Sequence, residues 1–184
     1  MIGDEASLRV IRQLLAAAVL SLAISSTWAG SGCADEERRG IPRLPHIGSA
    51  EVIAAGVVDG DTFVADIGGA PRRIRLARID APEKRQAFGH RAEQALRDLV
   101  WRRTVQMRWH QVDRNCRPIA EVRVDGTDVS EALVRLGMAW QYTAYSRDAG
   151  LAAIEQQVRN SHIGLWSDAS PIPPWEWRRA HDKQ

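Results

Sequence analysis

With 184 residues, the chain has room for one ordinary domain around a single core, plus short extensions at each end. Apolar residues at 45% and charged residues at 26% are globular proportions and exclude a disordered chain. A net charge of only +2 excludes a general field as the means of attracting nucleic acid, so any such attraction must come from where the arginines sit.

Arg9 and Arg12 precede an apolar and small run from Leu14 to Ile24, followed by Ser, Thr, Ala and Gly residues to Gly32. This is the pattern of a removed export peptide over residues 1–34, with cleavage after Ala29 or Ala34. The run is too short to span a bilayer comfortably. Cys33, after Gly-Ser-Gly, adds the alternative of a lipid attached at that residue, although Gly30 stands where such sites usually carry Leu. The expected location is therefore secreted or periplasmic in a bacterium, with a membrane-attached lipoprotein as the alternative. Cys33 and Cys116 are the only cysteines, and because the first lies in the processing region no internal disulfide is expected.

Residues 35–49 run from a charge cluster into Gly40, Pro42, Pro45 and Gly48 without helical or strand periodicity, which reads as a linker. The domain then occupies residues 50–170. Strands are predicted at 51–58 and 62–67, separated by Asp59-Gly60-Asp61, and a Gly68-Gly69 turn leads to a third at 72–79. Phe88, Ala92, Ala95, Leu96 and Leu99 recur at helical spacing and predict a helix over 88–101.

Val105, Met107 and Trp109 alternate with polar residues, as do Ala120, Val122 and Val124, giving strands four and five. Asp128 with Glu131 forms a capping box ahead of a second helix that Gly137 closes, and Ser146 is expected to cap a third over 147–160. Pro171, Pro173 and Pro174 stop regular structure, leaving residues 171–184 as an aromatic, basic tail whose tryptophans are expected to dock on the domain, with an exposed interaction patch as the alternative. Five short strands with interleaved helices predict an α+β, mainly β fold, a five-stranded barrel of the oligonucleotide-binding kind.

Asp59 and Asp61 alone would be ordinary turn residues. A second acidic cluster, Ile79-Asp80-Ala81-Pro82-Glu83, ends the third strand, which should lie beside the first hairpin, so the two sites can meet. Asp61, Asp80 and a carbonyl near Ala81 are the oxygen ligands that a hard cation such as calcium takes. Pro82 pushes the preceding residue into extended geometry, which can turn a carbonyl toward the ion. Arg75 on the approaching strand and Arg117 at the start of strand five carry planar forks suited to a phosphate's paired oxygens.

These segments together resemble the staphylococcal nuclease, or thermonuclease, family, from about Val52 to Trp166. The resemblance is carried by Val58-Asp59-Gly60-Asp61-Thr62, Arg75-Leu76 with Ile79 to Glu83, Asp113-Arg114 with Arg117, Glu131 to Arg135 with Gly137, and Gly164-Leu165-Trp166-Ser167. It implies a barrel with three helices and a calcium-dependent nuclease acting on DNA and RNA. It further implies that Asp61, Asp80 and the Ala81 carbonyl hold Ca2+, that Arg75, Glu83 and Arg117 are catalytic, and that Asp59 orients water on the ion.

Two departures stand out: Ala81 replaces a Thr, and Asn115-Cys116 replaces a Tyr-Gly that helps place the phosphate. Tyr142 and Tyr145 are candidates to compensate as substrate contacts, with packing at the barrel edge as their alternative. Partners are then DNA and RNA, preferentially single-stranded or frayed; no stable protein partner is implied and the chain is expected to be a monomer. The competing function is a barrel that binds nucleic acid or protein without cutting.

Overall fold

The computed structural model describes residues 33–181. The expected export peptide lies outside the described residues except for its last two positions, which open a short helix, α1 (Cys33–Arg38). The order then runs β1 (Gly48–Asp59), β2 (Thr62–Asp66), β3 (Pro71–Leu76), β4 (Ile79–Asp80), α2 (Gly89–Val100), β5 (Thr104–Val112) and β6 (Pro118–Val124). It continues with β7 (Thr127–Asp128), α3 (Val129–Arg135), β8 (Trp140–Gln141), α4 (Ala149–Asn160), a 3-10 turn (Gly164–Ser167) and α5 (Pro174–His181).

The main sheet has the order β3-β2-β1-β5-β6-β7, and a parallel pairing of β3 with β6 closes five of its strands into the expected barrel. β1 serves two neighbours. Its first half pairs with β5 and its second half with β2, and irregularities between Ala54 and Gly56 and between Val57 and Asp59 bend it round the barrel. Phe63, Ile74, Leu76, Val105 and Val122 fill the interior, closed off by Leu96 and Val100 of α2 and Val129 and Leu133 of α3. Burial of each such side chain contributes roughly 1.5–3 kcal/mol. Trp140, Val158, Leu165 and Trp166 form a second cluster, against which Phe88 and Trp175 pack.

The third strand does not run unbroken from 72 to 79. It stops at Leu76, turns through Arg78 at φ 69°, and resumes as the two-residue β4, which pairs with β8. The alternation of side chains hides this kink, because its cause is tertiary. Arg78 reaches Asp128 Oδ2 at 2.5 Å and Asp148 Oδ2 at 2.8 Å, and the other oxygen of each of those carboxylates caps a helix, α3 through Glu131 N–H and α4 through Leu151 N–H. Asp148, not Ser146, is thus the cap of α4.

The Leu151 amide and then Arg78 hold the Asp148 carboxyl below its ordinary value. Stability from that carboxylate is therefore present at neutral pH and is lost as pH falls through and below the usual carboxylate range. Arg78→Ala should cost about 2 kcal/mol by stranding two carboxylates, lowering the melting temperature by roughly 5 °C in a thermal melt at neutral pH. The deficit should shrink in acid.

Three features differ from expectation at the ends of the domain. Residues 33–49 are packed on the barrel: Glu36 pairs with Arg72, which is 2% exposed, and the Trp109 indole donates to the Pro45 carbonyl at 2.9 Å. Cys33 is disulfide-bonded to Cys116 with Cα atoms 4.9 Å apart, which corrects the expectation of no disulfide and commits the Cys33 sulfur that a lipid would need. The tail is also not irregular: Pro174 opens α5, at a position where its missing N–H costs nothing.

Candidate active site

Asp59 and Thr62 pair across the β1–β2 turn, leaving Gly60-Asp61 at its tip. Asp59 Oδ1 accepts the Asp61 N–H at 3.1 Å, fixing the turn in the manner usual for aspartate. The Asp61 carboxylate then faces the second acidic cluster, accepting the Thr62 hydroxyl at 3.0 Å on one oxygen and the Ala81 N–H at 3.1 Å on the other. Gly60 permits this meeting. A Cβ there would lie 2.6 Å from the Ala92 Cβ and 2.7 Å from the Ala81 Cβ, so any side chain would wedge α2 and the Ala81 turn apart.

Arg75 stands opposite Thr62 in the β2–β3 ladder and spans both clusters, with Nη1 at 2.7 Å from Asp61 Oδ2 and Nη2 at 2.8 Å from Asp80 Oδ1. The Nη1 contact is an ion pair outside hydrogen-bonding geometry, so this buried N–H donor has no hydrogen-bond acceptor among the described residues. Asp80 is fully buried, a consequence of the β4–β8 pairing. Burial pushes its carboxyl up, opposed first by the Arg178 hydrogen bonds. Burial, and next the neighbouring Asp61 charge, push Asp59 up to about 7.

Arg178 was not foreseen as part of this site. It comes from α5, donates through Nη2 to Asp80 Oδ2 at 2.7 Å, and through Nη1 to Glu83 Oε1 at 2.7 Å and Asp80 Oδ1 at 3.2 Å. The sequence signal was thin: a basic residue after three prolines and two tryptophans, with nothing to say where the segment docks. The docking itself is aromatic. The Trp175 ring stacks on Tyr142 with centroids 5.4 Å apart and planes 9° off parallel, whereas Trp177 stacks on His181 of its own helix.

Arg117 approaches from another wall. Its guanidinium is held by Asp113 through Nε at 2.9 Å and Nη2 at 2.8 Å, and Asp113 Oδ1 also accepts the Asn115 and Arg117 amides. In this turn Cys116 adopts φ 58°, a conformation that favours glycine, and the bond to Cys33 holds it there. The Cys in place of a family Gly is thereby accounted for.

Asp59, Asp61, Arg75, Asp80, Ala81, Glu83, Arg117, Tyr142 and Tyr145 all line one cavity of about 870 Å³, together with Asp113 and Arg178. Tyr142 is half-buried between Tyr145 and Trp175, while Tyr145 is 76% exposed at the rim. Among the described residues no three His, Cys, Asp or Glu side chains are gathered as a ready metal set. An ion here would rest on two carboxylates, a carbonyl and water. All of these are oxygen donors, as a hard cation requires.

Residues 73–168 match the family described as "Staphylococcal nuclease homologue". "Protein ParB" of Escherichia coli is 42% identical over 134 residues, covering 67% of this chain and 76% of that protein. An "Uncharacterized endonuclease" of Escherichia coli O157:H7 is 39% identical over 149 residues, covering 77% and 97%. "Micrococcal nuclease" of Shigella flexneri is 40% identical over 135 residues, covering 67% and 78%. A family match over residues 73–168, which hold Arg75, the Asp80–Glu83 cluster and Arg117, together with these relatives, leaves one conclusion: the chain belongs to the staphylococcal nuclease homologue family.

Proposed function

We propose that the chain is an exported endonuclease that hydrolyses phosphodiester bonds of DNA and RNA with the help of calcium. The observation that carries this reading is the convergence of Asp61, Asp80, Glu83, Arg75 and Arg117 on one cavity. Names of relatives such as micrococcal nuclease point the same way.

Asp61, Asp80 and the Ala81 carbonyl would hold Ca2+, with Asp59 orienting water beside it. The ion, when bound, supplies positive charge against which phosphoryl oxygens are polarised. Arg75 and Arg117 hold the phosphate from two walls and stabilise the charge that builds on its oxygens. Glu83 accepts a proton from the attacking water as its oxygen bonds to phosphorus in line with the departing 5′-oxygen. The P–O5′ bond breaks and the departing 5′-oxygen takes a proton from solvent water, leaving a 3′-phosphate and a 5′-hydroxyl end. No ribose hydroxyl takes part, so DNA and RNA are both substrates.

Tyr145 at the rim offers a base a stacking face, with Tyr142 and Trp175 packed behind it, which suits single-stranded or frayed chains. Every group invoked comes from one chain, so the active unit is taken as a monomer. A disulfide between Cys33 and Cys116, which cleavage after Ala29 would retain and cleavage after Ala34 would remove, favours an oxidising compartment, and hence secretion or the periplasm.

Incubation of the purified chain with long single-stranded DNA tests the reading. Cleavage should require calcium, stop on addition of a chelator, and fall by at least about 10²-fold in Glu83→Gln. Binding of DNA in calcium without cleavage would leave a binding module instead.

A further inference from the structure

Glu83 has two tethers to the C-terminal segment. Its Oε1 accepts Arg178 Nη1 at 2.7 Å. Its backbone N–H donates to Gln86 Oε1 at 3.1 Å, and the amide nitrogen of that Gln86 donates to the Ile172 carbonyl at 2.6 Å. On its remaining side, the Glu83 carbonyl lies against Gly89, where a Cβ would approach it to 2.0 Å. Glu83 is thus set between α2 and the tail.

From this arrangement we infer that Arg178 is a positioning residue for the reaction proposed above, holding the carboxylate of Glu83 at a fixed place beside Asp80. The inference rests on that reading of the site. One guanidinium bridges the carboxylate assigned to the ion and the carboxylate assigned to the water, so the spacing between them is set by a rigid planar group and not by two free side chains.

A contact with Asp80 could equally have been an obstacle to the ion, and the acceptor count argues against that. A carboxylate has about four lone-pair positions. Asp80 uses three of them on Arg75 and Arg178, and Asp61 two on Thr62 and Ala81 beside its ion pair with Arg75, so each retains acceptor capacity for a further partner. Arg178 can remain in place while both carboxylates ligate. Its helix is also anchored independently, through buried Pro174 and the Trp175–Tyr142 stack, so the guanidinium is presented from a fixed base.

The test compares the full chain with Arg178→Ala and Arg178→Lys, using single-stranded DNA cleavage, calorimetric titration with calcium, and thermal melts. For Arg178→Ala, kcat should fall about 10²-fold with KM unchanged, the size expected when a reacting group is misplaced by about 1 Å. Lys should recover only part of the loss, because an ammonium cannot bridge two carboxylates as a fork does. Added methylguanidinium should restore part of the Arg178→Ala rate, which a merely structural role would not allow.

Calcium affinity should be equal or tighter, since Asp80 loses a competing charge. An unchanged kcat in Arg178→Ala would overturn the inference, and a raised kcat would overturn it and make the tail an inhibitory latch. Calcium affinity weakened more than about threefold, near 0.7 kcal/mol, would also overturn it, placing the role at the ion and not at Glu83. An unmodified chain that fails to cut overturns the nuclease reading and this one with it; a chain that cuts, with a variant that cuts equally well, overturns this one alone.

Discussion

Cleavage of single-stranded DNA in calcium is expected to fall about 10²- to 10³-fold in Arg75→Lys, with the barrel still folded. Arg75 contacts Asp61 with one nitrogen and Asp80 with the other, and its buried Nη1 has no hydrogen-bond acceptor among the described residues. That donor is the one a phosphate oxygen would take. Lysine preserves the charge that the two buried carboxylates need, so the uncompensated-charge penalty of about 3–5 kcal/mol is avoided. It cannot, however, serve Asp61, Asp80 and a phosphate from one plane. Steady-state kinetics with a melting curve of the same sample checks this, and a variant that cuts at the parent rate would remove Arg75 from the mechanism.

Reduction of the Cys33–Cys116 bond should produce the largest loss of stability. The bond closes a sequence separation of 83 residues, for which the chain-entropy model gives an upper value of about 4.5 kcal/mol. In a domain of this size that corresponds to a fall in melting temperature of roughly 10 °C. Activity should fall with it, because Cys116 sits inside the Asp113–Arg117 turn and its left-handed conformation loses its tether. A double variant with Cys33→Ser and Cys116→Gly should melt higher than one with both cysteines replaced by Ser, by about 1 kcal/mol of relieved strain. Identical melts with and without reductant would show that the bond contributes nothing.

Much of the barrel was legible because its strands are half-buried and alternate, and the cap of α3 because Asp128 and Glu131 are spaced as a capping box. The meeting of the two acidic clusters was legible too, since each lies at the end of a strand and the strands are neighbours. What stayed hidden depends on contacts distant in sequence. The turn at Arg78 sits inside an unbroken alternating run and is imposed by two aspartates 50 and 70 residues away.

Cysteine spacing carries no information on pairing when one partner lies in a region read as removed. Prolines at 171, 173 and 174 suggest a stop, but the last of them is equally suited to begin a helix, and α5 follows it. Arg178 belongs to the site only through that docking, so local pattern could not point to it.

The parallel pairing of β3 and β6 joins just Arg75 to Ile119 and Leu76 to Ala120. Arg75 is therefore measured against Arg117 by a seam two rungs long, which acts as the gauge for the width of the phosphate cleft. A slip of one residue along that seam would reverse which face each side chain meets and turn Arg75 inward, away from Asp61. Substitutions that loosen the seam, although distant from every charged group, should thus alter where a strand is gripped before they alter whether the barrel folds.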